Sequence, residues 1–107
     1  MERQLIIYHM PSGKEPYSEF VGSLRDRQGA AKIKARATQA GLGNLGDHRT
    51  VGHGVVELKI NFGPGYRVYI GLRGAQAIVL LGAGDKSSQS KDIIQAHDAW
   101  ADYLENL

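Results

Sequence analysis

An α+β fold, with its elements in the order β-α-α-β-β-β-α and a mostly antiparallel sheet packed against helices, is what this 107-residue sequence predicts. Three observations carry that expectation. Two consecutive segments past the middle alternate apolar and polar residues with period 2. The segment after them is apolar throughout. The stretches flanking this trio place their apolar residues at helical spacing.

The elements follow in order. "RQLIIYH" (3–9) is rich in β-branched and aromatic residues and stops at Pro11-Ser12-Gly13, so it reads as a strand. From Glu15, Tyr17, Phe20, Val21 and Leu24 recur at helical spacing. A second helix is expected from about Arg27 to Ala40, with Ile33, Ala37 and Ala40 on its inner side. "GLGNLGDHRTVGHG" (41–54) holds five glycines and reads as a loop. In "VVELKINF" (55–62), Val56, Leu58, Ile60 and Phe62 share one side; in "YRVYIGLR" (66–73), Tyr66, Val68, Ile70 and Leu72 do. "AQAIVLLG" (75–82) has the apolar character of a strand covered on both faces. "SQSKDIIQAHDAWADYL" (88–104) reads as a helix with Ile93, His97, Trp100, Ala101 and Leu104 on one stripe. One domain, 1–107, accommodates all of this.

Composition excludes several classes of function. No apolar run is long enough to span a bilayer, and the N-terminus lacks a signal-peptide pattern. Cysteine is absent, so disulfides and thiolate metal sites are excluded, and a cytoplasmic location is expected. No His/Asp/Glu pair has ligand spacing, so neither a metal nor a cofactor is expected. His48 and His53 lie in the glycine-rich loop, and His97 reads as a satisfied core histidine. The net charge is only +2, but "RDRQGAAKIKAR" (25–36) sets Arg25, Arg27, Lys32, Lys34 and Arg36 against a single Asp26. Such a segment can track a phosphate backbone, although a solvated helix face is the more ordinary explanation.

"NFGPGYRVYIG" (61–71) tests whether glycines here cradle a phosphate. A phosphate loop runs from strand to helix, whereas this one runs from strand to strand, and Pro64 removes an amide donor. "GAGDKSSQS" (82–90) lacks the required spacing too. A three-residue hairpin connection predicts that Phe62 faces Tyr66, Ile60 faces Val68 and Leu58 faces Ile70. On the other face Asn61 then meets Arg67 and Lys59 meets Tyr69. A tight turn at Gly74 brings Gly82 beside Tyr66, so Lys59, Arg67 and Lys86 converge on one edge, near Glu57 and Tyr69. Converging cations call for an anion, and with no cofactor motif a phosphodiester is the natural candidate.

Cleaving an RNA phosphodiester through its 2′-hydroxyl requires a base, an acid and cations around phosphorus. Arg67 suits the last role through its bidentate fork. Lys59 is the candidate base, with Glu57 the alternative, and Lys86 is the acid or charge stabiliser. Tyr69 is a candidate to stack on a base or assist proton transfer, and Arg73 adds a cation for RNA contact. A surface ion-pair ladder of Glu57, Lys59 and Arg67 accounts for the same pattern without chemistry.

"GVVELKINFGPGYRVYIG" followed by "IVLLGAGDKSSQSKDI" resembles the RelE/ParE toxin superfamily, within it the HigB-like, phage Gp49-like "addiction module killer" branch. The E-L-[RK], G-P-G-Y-R-V-Y and G-D-K-S-[ST]-Q elements carry the resemblance. It implies a toxin of a type II toxin–antitoxin system, neutralised by an antitoxin that is usually a helix-turn-helix DNA-binding protein. Many members of the superfamily are metal-independent, ribosome-dependent mRNA endoribonucleases. On that pattern Arg67 and Lys86 match the family's basic catalytic positions. Lys59 stands where relatives often carry arginine, and no residue matches the tyrosine or histidine that some relatives carry near the last helix. ParE-like inhibition of DNA gyrase, or antitoxin binding alone, are the alternatives that the resemblance leaves open.

Overall fold

A computed structural model describes residues 1–107. The chain forms β1 (Gln4–Ile7), α1 (Pro16–Ser23), α2 (Arg27–Gly41), β2 (His48–Thr50), β3 (Val55–Ile60), β4 (Tyr66–Arg73), β5 (Ala77–Gly84) and α3 (Gln89–Glu105). The strands make a single mixed sheet in the order β1-β5-β4-β3-β2, with β1 parallel to β5 and the other pairs antiparallel. This is an α+β fold. No helix is long and apolar enough to cross a membrane.

Both helical layers are set by local chemistry. Pro16 opens α1, where its missing N–H costs nothing. Asp26 caps α2 by accepting the Gly29 N–H at 2.9 Å, and its other oxygen accepts the Tyr66 hydroxyl at 2.8 Å. Those two bonds hold its carboxyl below the usual range, the Gly29 amide contributing most. Gly29 is needed there, because a Cβ would run into both Asp26 and the Tyr66 ring.

The sheet has a core on each side. Against α1 and α2 lie Val56, Leu58, Ile60, Val68, Ile70, Ile78 and Leu80, packed with Val21, Ile33 and Ala37. Against α3 lie Val55, Tyr69, Val79 and Leu81, packed with Ala96, Ala99 and Trp100. The expectation of one apolar and one mixed face is therefore corrected: α3 covers much of the mixed face. Its buried stripe is also rotated, because Ala96, Ala99 and Trp100 are buried while Ala101 and Leu104 are exposed.

The β3–β4 register differs from expectation by two residues. Ile60 faces Tyr66, Lys59 faces Arg67, Leu58 faces Val68 and Glu57 faces Tyr69. The connection runs through Asn61–Gly65 and closes with the Gly65 N–H donating to the Phe62 carbonyl at 3.1 Å. Gly63 and Gly65 take left-handed φ of 56° and 83°. Phe62 thus leaves the strand and packs under Lys32, whose Nζ lies 4.9 Å from its ring centre. A shift of two preserves the side-chain parity, so every residue stays on its expected face. At the other end β5 runs to Gly84, with an irregularity at Leu81 between the Ile70–Leu80 and Tyr69–Gly82 pairs.

On the α3 side, Gly71 lies beneath the Trp100 indole with no room for a methyl group. Gly71→Ala is expected to destabilise the fold by about 1–3 kcal/mol through overpacking, read as a lower urea midpoint.

Candidate functional site

The site is built from two rows of side chains crossing the sheet on the face that α3 partly covers. One row runs Arg49, Glu57, Tyr69, Gly82 across β2, β3, β4 and β5; the next runs Lys59, Arg67, Gly84. The glycines leave this end of the sheet low. A Cβ at Gly84 would strike the Asp92 carboxylate, so glycine there lets the first turn of α3 settle against β5.

At the centre is Glu57, with no exposed surface. One carboxylate oxygen accepts the Arg49 Nε at 2.8 Å, and the other accepts the Gln89 Nε2 at 2.9 Å. The Arg67 Nε lies 3.8 Å away. Burial pushes the Glu57 pKa up, but the bonds from Arg49 and Gln89 and the charges of Arg49 and Arg67 outweigh it, leaving the group below the usual range. Glu57 is therefore a buried, fully committed carboxylate, and its expected alternative role as a base that reaches substrate is corrected.

The cations stand around it. Lys59 is half-buried and directly opposite Arg67. Arg67 is held by a bond from Nη1 to the Gly65 carbonyl, its side chain is 12% exposed, and Nη2 makes no hydrogen bond within the protein. A Cβ built on Gly65 would lie 3.1 Å from the Arg67 Nη1 and 3.8 Å from the Lys86 Cβ, so Lys86 does reach the same corner as Arg67. Like charges so placed repel, and the buried carboxylate beside them offsets that repulsion. Two buried polar atoms make no hydrogen bond: the Arg67 Nε and the Tyr69 hydroxyl.

Tyr69 is fully buried, which corrects the expectation that it stacks on a base. Burial, then the charges of Glu57 and Asp92, push its pKa well above the ordinary tyrosine value. Arg36 also leaves the proposed RNA-contacting set. It is 9% exposed and donates to the carbonyls of Lys59, Leu45 and Asp47 and to the Gln39 side chain, so it ties the loop after α2 to the end of β3. Arg25, Arg27, Lys32 and Lys34 remain exposed, but α2 packs on the opposite face of the sheet from Glu57. Arg73 is exposed and bonds the Tyr103 hydroxyl at 3.3 Å, at the far end of β4 from Arg67.

Sequence reasoning missed Arg49 and Gln89. Arg49 lies in the stretch 41–54 that reads as a loop, yet its three-residue strand pairs with β3. His97 is a satisfied histidine as expected, with Nε2 2.8 Å from the Val51 carbonyl, and its ring lies against His53. Asp92 accepts the Ser88 hydroxyl at 2.6 Å, and burial raises its pKa.

No family model matches the chain, and no solved structure matches it. An uncharacterized protein of Haemophilus influenzae is 41% identical over 80 residues, which span 75% of this chain and 81% of that one.

Because the folded pKa of Glu57 is lowered, its contribution to stability is present above the ordinary glutamate range and is lost as pH falls through the folded value. Denaturant melts at stepped pH are expected to show this acid-side loss in the native chain and a flatter profile in Glu57→Gln. At neutral pH the variant should be less stable by on the order of 1–3 kcal/mol.

Proposed function

We propose that this chain, which belongs to one family with the Haemophilus influenzae protein, is the toxin of a type II toxin–antitoxin system. In this reading it has a RelE-like fold, acts in the cytoplasm and cleaves mRNA on the ribosome without a metal ion. The observation that carries the reading is the cationic cluster: Arg49, Lys59 and Arg67 on one face of the sheet beside a buried Glu57, with Lys86 at the same corner. The motif resemblance in β3, β4 and the segment after β5 points the same way.

The residues divide the chemistry between them. Arg67 presents Nη2 to a phosphate oxygen and stabilises charge on phosphorus. Arg49 is half exposed beyond its bond to Glu57 and adds a second cation at the same height. Lys59 takes the 2′ proton, and Lys86, exposed at the corner, protonates or stabilises the departing 5′ oxygen. Glu57 and Gln89 touch no substrate; they fix the arginines so that little reorganisation accompanies the reaction. The partners in this reading are the ribosome with its mRNA and a cognate antitoxin, a helix-turn-helix DNA-binding protein.

Induction of the chain followed by mapping of mRNA 5′ ends is expected to show cuts within translated codons. Arg67→Ala is expected to lower cleavage by at least about a hundredfold and to abolish growth inhibition, with an unchanged circular dichroism spectrum. Uncut message with a DNA-damage response would instead indicate gyrase inhibition. Uncut message with neither effect would leave antitoxin binding alone.

A further inference from the structure

A deep concavity lies beside the cationic cluster, lined by none of its cations. It has a volume of about 590 Å³ and opens between α1 and α3 along β5. Pairing of β1 with β5 ends at Ile7 and Leu80, with one last bond from the Tyr8 N–H to the Leu80 carbonyl at 3.1 Å. β5 continues to Gly84, and Gly82, Ala83 and Gly84 pair with β4 alone. Three residues of strand backbone therefore have no strand beside them on the side that β1 has left.

The walls of this concavity are apolar near the strand and acidic beyond it. Met10, Pro16 and Phe20 line one side, and Leu81, Ala96 and Ala99 the other. Glu19 stands on the α1 side, while Asp92, Asp98 and Asp102 stand on α3; Lys14 is the single cation among the lining residues. Lys14 pairs with Glu19 at 3.5 Å, and Asp102 accepts the Tyr8 hydroxyl at 2.8 Å. Asp98 is exposed and has no ion-pair partner. Tyr69 also lines the groove, fully buried and with its hydroxyl unpartnered. A chain with net positive charge thus concentrates carboxylates around a free strand edge.

We propose that this groove takes an extended, basic segment of a partner polypeptide, which adds to the free edge of β5 and sets arginine or lysine side chains against Asp98, Asp102 and Glu19. Main-chain bonds to residues 82–84 supply affinity, and the alternation of an added strand sends successive side chains towards α1 and α3 in turn. The acidic walls select basic residues and speed encounter at low salt. None of Arg49, Lys59, Arg67 or Lys86 lines this surface, which meets the cationic cluster only through Tyr69 and the β5 backbone.

The test titrates the full chain with a fluorescein-labelled octapeptide of alternating arginine and valine, read by fluorescence anisotropy. Companion peptides carry N-methyl groups on alternate amides, or glutamate in place of arginine. Binding of the first peptide is expected, with slowed amide exchange at residues 82–84 by NMR. N-methylation and the Asp98→Lys variant should each weaken binding by at least about tenfold, and the glutamate peptide should not bind. Asp98 is at the surface, so the variant should fold, which circular dichroism checks. Failure of the arginine peptide to bind would overturn the proposal. So would equal binding of the N-methylated peptide, undiminished binding by Asp98→Lys, or exchange at 82–84 that peptide leaves unchanged.

Discussion

One buried carboxylate organises the end of the sheet where the cations gather. Glu57 on β3 is bonded by Arg49 from β2 and Gln89 from α3, with Arg67 of β4 close by. A charge taken out of water is tolerable only when opposite charge and donors replace the lost hydration. Satisfying Glu57 therefore obliges an edge strand, a central strand and the last helix to meet at one point. The same demand fixes where the arginines stand. Without the carboxylate, Arg49, Lys59 and Arg67 would have every reason to splay apart.

The packing around that point explains why the site lies where it does. Covering both faces of a small sheet is a problem of area, and α3 covers its face only in part. Trp100 lies over Gly71, while the N-terminal turn of α3 comes down beside Gly84. Between those contacts the low glycine positions and the buried Tyr69 form a floor, and the cations border it where the helix begins. Arg36 serves the same architecture from the other layer, lending its guanidinium to the carbonyls of Leu45, Asp47 and Lys59.

Much of this was legible in the residues. The period-2 pattern of β3 and β4 assigned every side chain to its face, including Glu57, Lys59, Arg67 and Tyr69, and parity survived a register error of two. That error came from the turn, where Asn61 and Phe62 continue the alternation but have left the strand. Alternation alone cannot mark where pairing stops. Arg49 was hidden because a three-residue strand is too short for any period to show, and its neighbours are glycine-rich. Arg36 reads like the other basic residues of its helix, since burial by hydrogen bonding to a distant loop leaves no local trace. The α3 stripe was misplaced because alanine is apolar enough for either side of a helix, so Ala96 and Ala99 competed unnoticed with Ala101.

The parallel pairing of β1 with β5 has a bearing on how the protein is made. Gln4 to Ile7 find their partners at Ala77 to Leu80, so β1 has no neighbour in the sheet until β5 has been made. Gln89 follows β5 in the chain, which means that Glu57 lacks part of its cage until α3 begins to form. A growing chain can assemble the β3–β4 hairpin on its own, but not the finished cluster. The cluster is thus completed only when α3 packs onto a sheet that β1 and β5 have already closed.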